Sequence, residues 1–139
     1  MNATSAPIIG ICGGGNLAHA MAGWLGARGL RVNILTRKPE QWNKTISASF
    51  PDGTALRPPL GRISNHPEIL EECSLVLVAV PRFGIREICL RIKPFLRRDQ
   101  GLAIVPGTPG RHGHGGRRLM DFLRQPDGNI QGSPDLPYA

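Results

Sequence analysis

Five short apolar runs punctuate the first 105 residues, and helical spacing of apolar positions fills the gaps between them. Ile8-Ile9-Gly10-Ile11-Cys12 is continuously apolar, the pattern of a strand covered on both faces in a parallel sheet. From Asn16 to Arg28 the positions Leu17, Ala20, Met21, Trp24 and Leu25 recur at three- and four-residue steps, which predicts a helix with one packed stripe, closed by Gly29. Val32 to Leu35 is a second strand, so the first unit reads strand, helix, strand within about thirty residues, the span of a crossover. Beyond it, Glu40 to Lys44 predicts one helical turn, and Ile46 to Ile63 a hairpin excursion about Pro51-Asp52-Gly53. Ile63-Ser64 predicts a short edge strand, and Pro67 opens a brief helix to Glu72. The most apolar run, Leu75 to Val80, predicts a central strand. Phe83 to Leu96 carries Ile85, Ile88, Cys89, Ile92 and Phe95 on one stripe, with Pro94 limiting its last turn. Leu102 to Val105 is a further strand, closed by Pro106-Gly107.

Strands alternating with helices predict an α/β fold, a Rossmann-type doubly wound, mainly parallel sheet with a small β-hairpin excursion, over residues 1–110. In that topology the strand at Leu75 lies on the far side of the strand at Ile8. A ligand crevice is then expected between the loop Gly13 to Asn16 and the loop Val80 to Phe83. After Gly110 the apolar period is lost in Arg111-His112-Gly113-His114-Gly115-Gly116-Arg117-Arg118, and only Leu119 to Leu123 has helical spacing, so 111–139 reads as a weakly ordered tail.

Composition narrows the function classes. A length of 139 residues with 40% apolar content fits one compact domain and not two. Cys12, Cys73 and Cys89 are odd in number and widely spaced, which predicts no disulfide framework and no metal site and favours a reducing, cytoplasmic setting. The apolar run at Ile8 is cut short by three glycines and follows no basic segment, so neither a signal peptide nor a membrane span is expected. The formal charge of +7 and a pI near 10.4 fit an anion-attracting surface. No nucleic-acid recognition module accompanies them, and Arg82, Arg86, Arg91, Lys93, Arg97 and Arg98 read as a solvated helix face.

The candidate chemistry lies in Gly13-Gly14-Gly15-Asn16-Leu17-Ala18, a Gly-x-Gly-x-x-Ala pattern placed after a strand and at the opening of a helix. Gly13 suits the tight turn, Gly15 admits the pyrophosphate to the backbone, and Ala18 allows close helix–strand packing. At the end of the second strand, where a carboxylate would bind the adenosine ribose of NAD, stand Thr36-Arg37-Lys38. Cations there suit a 2′-phosphate, so NADP is the expected cofactor ahead of NAD; the alternative is a pair of exposed basic side chains. Val80, Pro81 and Phe83 form the opposite wall of the expected crevice. His19 reads as a structural histidine, Cys12 as a small buried apolar group, and His112 and His114 lack the ligand count of a metal site. No catalytic residue is assigned.

These residues resemble the amino-terminal domain of the octopine/nopaline (opine) dehydrogenases. The likeness rests on Cys12-Gly13-Gly14-Gly15-Asn16 with Ala18-His19, on Leu35-Thr36, and on Pro51-Asp52-Gly53 and Leu60-Gly61-Arg62-Ile63-Ser64. It continues through Val80-Pro81, Ile92-Lys93-Pro94 and Val105-Pro106-Gly107 with Gly110. The resemblance implies an oxidoreductase that reductively condenses an amino acid with a 2-oxo acid, using NADH or NADPH. The amino domains of ketopantoate reductase and glycerol-3-phosphate dehydrogenase are the alternatives, as is a non-catalytic dinucleotide-binding remnant. Where the opine family has Phe-Ala-His this chain has Phe83-Gly84-Ile85, so that histidine's role does not carry over. The family's helical second domain, which supplies the catalytic His and Asp, has no counterpart here. A truncated or frame-shifted product, inactive alone and prone to self-association through exposed apolar faces and an unpaired sheet edge, is the expectation.

Overall fold

The computed structural model describes residues 7–105; the predicted tail at 111–139, with His112 and His114, and the exit Pro106-Gly107 lie outside those residues. In chain order the elements are β1 (Ile8–Cys12), α1 (Asn16–Ala27), β2 (Arg31–Leu35), β3 (Ala48–Ser49), β4 (Ala55–Leu56), β5 (Ile63–Ser64), β6 (Leu75–Val78), α2 (Ile85–Ile92) and β7 (Gly101–Ile104). Five strands form one parallel sheet in the order β5-β2-β1-β6-β7, and β3 and β4 form a separate antiparallel pair. β1 sits at the centre, with Ile9 opposite Val32 on one side and Leu75 on the other. This is the doubly wound order, and its switch point falls between β1 and β6.

Both faces of the sheet are covered. On one, Ile9, Ile11, Val32, Ile34, Leu77 and Ala79 pack with Ala18 and Ala22 of α1 and with Trp42. On the other, Cys12, Leu35, Val76 and Val78 pack with Ile69, Leu70 and Cys73 and with Ile85, Cys89 and Ile92 of α2. Unbroken apolar runs at β1 and β6 are therefore the pattern a two-sided sheet demands.

The stripe expected on α1 is corrected. Ala18, Ala22, Gly23 and Gly26 are the buried positions and Met21 and Leu25 are half-buried, whereas Leu17, Ala20 and Trp24 face outward. Small residues win the inner face because the helix lies close against its neighbours. A Cβ on Gly23 would stand 3.4 Å from the Ala48 Cβ, and one on Gly26 only 3.0 Å from the Pro58 ring. Trp24, half exposed, is instead covered by the Arg28 guanidinium 3.5 Å above its ring. The helix ends as predicted: Gly29, at φ +83°, donates to Gly26 O at 2.9 Å and Leu30 to Leu25 O at 3.2 Å, the two bonds of a Schellman closure.

Other boundaries shift. Turns of 3-10 geometry occupy Pro39–Gln41 and Pro67–Leu70 in place of the predicted helical turns, and two more, Arg82–Gly84 and Lys93–Phe95, flank a shorter α2. Proline at the start of three of these segments fixes φ without supplying the donor a longer α-helix would need. β6 stops at Val78, and Ala79 to Pro81 leave the sheet edge as loop. The hairpin closes where expected, with Thr54 N donating to Asp52 Oδ1 at 2.9 Å and holding that carboxyl below its ordinary range.

Two buried amides tie the layers together. Asn33, fully buried on β2, donates from Nδ2 to Ile69 O (3.2 Å) and Glu72 Oε1 (2.7 Å), and its Oδ1 accepts from Arg62 N (2.8 Å). Gln100 donates to Leu70 O and Cys73 O at 2.7 and 2.8 Å, while its Oε1 accepts from Arg97 N at 2.6 Å. Buried side-chain amides satisfied on both ends fix the segment before β6 against β2 and against the approach to β7.

All three cysteines are free and buried. Burial pushes the Cys12 thiol up, Cys73 up to about 11 and Cys89 up to about 12, from an ordinary 9.0. The folded protein should consequently resist iodoacetamide at pH 8 and take up three labels in denaturant, read by intact mass. Fast labelling in native buffer would contradict the buried placement. Because the folded values exceed the unfolded one, this contribution to stability is complete below about pH 9 and fades as pH rises through 11 and 12.

Candidate functional site

The carboxyl ends of β1, β2 and β6 open onto one crevice of about 370 Å³. Its floor is Gly13 and Gly14 of the β1–α1 loop. One wall is Leu35, Thr36, Arg37, Lys38 and Gln41, following β2. The other is Val80, Pro81, Phe83 and Gly84 after β6, with Glu87, Ile88 and Arg91 of α2. Thus the structure brings together Gly13, Gly14, Thr36, Arg37, Lys38, Val80, Pro81 and Phe83 of the residues singled out from sequence. Gly15, Asn16, Leu17 and Ala18 do not line it: Gly15 and Asn16 are exposed at the helix start, Leu17 is 39% exposed, and Ala18 is buried beneath α1.

The glycines differ in what they permit. Gly13 adopts φ +143° and donates its N–H to Leu35 O at 2.9 Å, and a Cβ there would overlap the Ala79 carbonyl oxygen. A Cβ on Gly14 would stand 2.7 Å from Thr36 Oγ1, so the loop lies flat against the end of β2. A Cβ on Gly15 would meet nothing within 4 Å, which leaves open space above the first turn of α1. That turn has Gly15 as its cap, no side-chain acceptor and no acidic residue, so its leading amides have no partner from a capping side chain. Free amides beside an open cradle fit a pyrophosphate.

His19 is held in place by two contacts. Its Nδ1 lies 2.9 Å from Gly15 O and its ring stacks on Trp42, with centroids 3.6 Å apart and planes at 16°. Trp42, 8% exposed, wedges this stack under the loop. Cys12 is wholly buried at the strand end.

Charge around the crevice is mixed. Arg37, Lys38 and Arg91 supply three cations against the carboxylate of Glu87. Arg37 Nη2 reaches Glu87 Oε1 at 3.1 Å, across the mouth from the β2 side to α2, with the two side chains 77% and 74% exposed. Arg91 donates to Asn65 O. Phe83 stands 90% exposed on the rim. The sequence reading did not place Gln41, Glu87, Ile88 or Arg91 in the site, nor the Trp42 prop. No local spacing announces them, since Glu87 meets Arg37 across fifty residues of chain.

A glycine turn at a two-sided parallel sheet's switch point, with an unblocked helix start beside it, defines a dinucleotide-binding domain. The family's sequence model, that of the N-terminus of NAD-dependent glycerol-3-phosphate dehydrogenase, matches residues 8–125. The chain belongs to this family of NAD(P)-dependent dehydrogenase domains. The glycerol-3-phosphate dehydrogenase [NAD(P)+] of Clostridium tetani is 26% identical over 117 residues, covering 81% of this chain and 33% of the relative. Octopine dehydrogenase of Pecten maximus is 30% identical over 119 residues, covering 74% of this chain and 29% of the relative. A solved octopine dehydrogenase with NADH and L-arginine superposes with a TM-score of 0.63 at 27% identity, over 76% of this chain and 30% of that one. The chain spans about a third of the length of these relatives. NAD(P) is the cofactor class they share. Among the described residues, no helix is long and apolar enough to cross a membrane.

Proposed function

We propose that this chain is the cofactor-holding half of a dehydrogenase and that it prefers NADP(H) to NAD(H). The observation that carries the proposal is the crevice itself, where Gly13 and Gly14 floor the opening, Gly15 leaves the α1 amides clear, and Arg37 and Lys38 stand at the end of β2. The pyrophosphate is held at the start of α1 by Gly14, Gly15 and Asn16, with Leu17 and Ala18 carrying the helix into the sheet. Thr36 sets the spacing to the loop, and Arg37 and Lys38 take the 2′-phosphate, for which a guanidinium offers paired donors. Val80, Pro81 and Phe83 flank the opposite side. When bound, the nicotinamide ring gives or accepts a hydride.

Two substrate readings follow from the relatives. Likeness to octopine and tauropine dehydrogenases, together with the Cys12-to-Asn16 and Leu35-Thr36 motifs, supports reductive condensation of an amino acid with a 2-oxo acid. The family match favours glycerol 3-phosphate oxidation as the second reading. Among the described residues the crevice lining contains no histidine, cysteine or tyrosine and its carboxylate is engaged by Arg37, so the proposal places proton transfer outside that lining and gives this chain no turnover by itself.

The test is a fluorescence titration of the purified chain with NADPH and NADH. Arg37→Ala should weaken NADPH about tenfold, the worth of one charge-assisted bond to phosphate, and leave NADH within about twofold. Equal losses for both would remove the 2′-phosphate role, and no binding of either by the unmodified chain would end the dinucleotide reading.

A further inference from the structure

Among the described residues one carboxylate lines the crevice, and it is aimed at the residue proposed to read the cofactor. Glu87 stands in the first turn of α2, Arg37 just beyond β2, and their side chains meet at 3.1 Å over the opening. We infer that Glu87 is a specificity-determining residue: it competes with a 2′-phosphate for Arg37 and so restrains the preference for NADP(H). This rests on the dinucleotide reading above.

The chemistry is asymmetric between the two cofactors. A ribose 2′-hydroxyl asks nothing of Arg37, so NADH can enter with the pair intact. A 2′-phosphate seeks the guanidinium's paired donors, one of which, on Nη2, is already given to Glu87 Oε1, so the two anions compete for the same group. At 77% and 74% side-chain exposure both partners lie in water, so the pair is weak enough to be displaced and its competition is modest in size. Arg91, one turn further along α2, donates instead to the Asn65 carbonyl, and the ion pair formed by Glu87 is with Arg37. Lys38, whose N–H lies 3.4 Å from Thr36 Oγ1, remains on the β2 side as a second cation for the phosphate.

The experiment is a four-way comparison of NADPH and NADH binding by the full chain, its Glu87→Gln and Arg37→Ala variants, and the double variant. Glu87→Gln should tighten NADPH about three- to fivefold, the typical worth of an exposed ion pair, with NADH unchanged within about twofold. In the Arg37→Ala background the same change should alter NADPH by less than about twofold, because no contested guanidinium is left. An equal shift for both cofactors, no shift for either, or a gain that persists without Arg37 would overturn the inference while leaving the dinucleotide reading standing. Failure of the unmodified chain to bind either cofactor would overturn both. Glu87 and Arg37 are surface side chains, and matching thermal transitions of all four proteins would confirm that the comparison is between folded states.

Discussion

Gly13→Ala is expected to cost the domain roughly 3–5 kcal/mol, a large part of the 5–15 kcal/mol typical of a small domain, and to abolish dinucleotide binding. Two independent causes add at this position. The backbone holds φ +143°, a region closed to residues with a side chain, and the new Cβ would overlap the Ala79 carbonyl oxygen. That oxygen belongs to the chain leaving β6, so relief would require parting β1 from β6 at the switch point. Circular dichroism through a thermal ramp measures the loss, and a variant melting within a few degrees of the parent would refute the packing described. Gly14→Ala is gentler, because the atom it meets is a hydroxyl on a side chain that can rotate.

Asn33→Leu should be nearly as damaging, at about 3–4 kcal/mol. The leucine would strip Arg62 N and Glu72 Oε1 of their part-buried amide partner and leave Ile69 O with only the weak Cys73 thiol donor, and each group so weakened costs roughly 1–3 kcal/mol. For a domain of this size the melting temperature should fall by about 10–20 °C. A urea transition with an unchanged midpoint would show that none of these bonds is needed. The lesion is structural, so any loss of cofactor binding should follow the folded fraction and vanish once that fraction is accounted for.

The architecture was legible where sequence neighbours are also spatial partners. The run from Ile8 to Cys12, the three glycines and the helix opening at Asn16 lie within one crossover, and each local preference agrees with the whole. The α1 stripe was not legible, because reading apolarity places Trp24 and Leu17 inward, whereas contact distance is set by the smallest residues, Ala18, Ala22, Gly23 and Gly26. In the site, the glycine floor and the basic residues after β2 followed from spacing. Trp42 beneath His19 and Glu87 opposite Arg37 did not, since such pairs exist only once the sheet order has brought distant segments together. Asn33 hid for another reason: within Val32 to Leu35 it is the lone polar letter in an apolar strand, and only its partners across the layers show why it is there.

The small-residue seam of α1 also makes the helix a lever. Gly26 lies ten residues along from Asn16, about 15 Å at the rise of an α-helix, and it rests within contact of the Pro58 ring. A bulkier residue there would lift the far end of a rod whose near end opens beside the glycine floor of the crevice. On the proposed reading, the height at which the pyrophosphate is seated would then be set in part at the opposite pole of the molecule, and a larger residue at Gly23 or Gly26 would change affinity without touching any residue that meets the ligand.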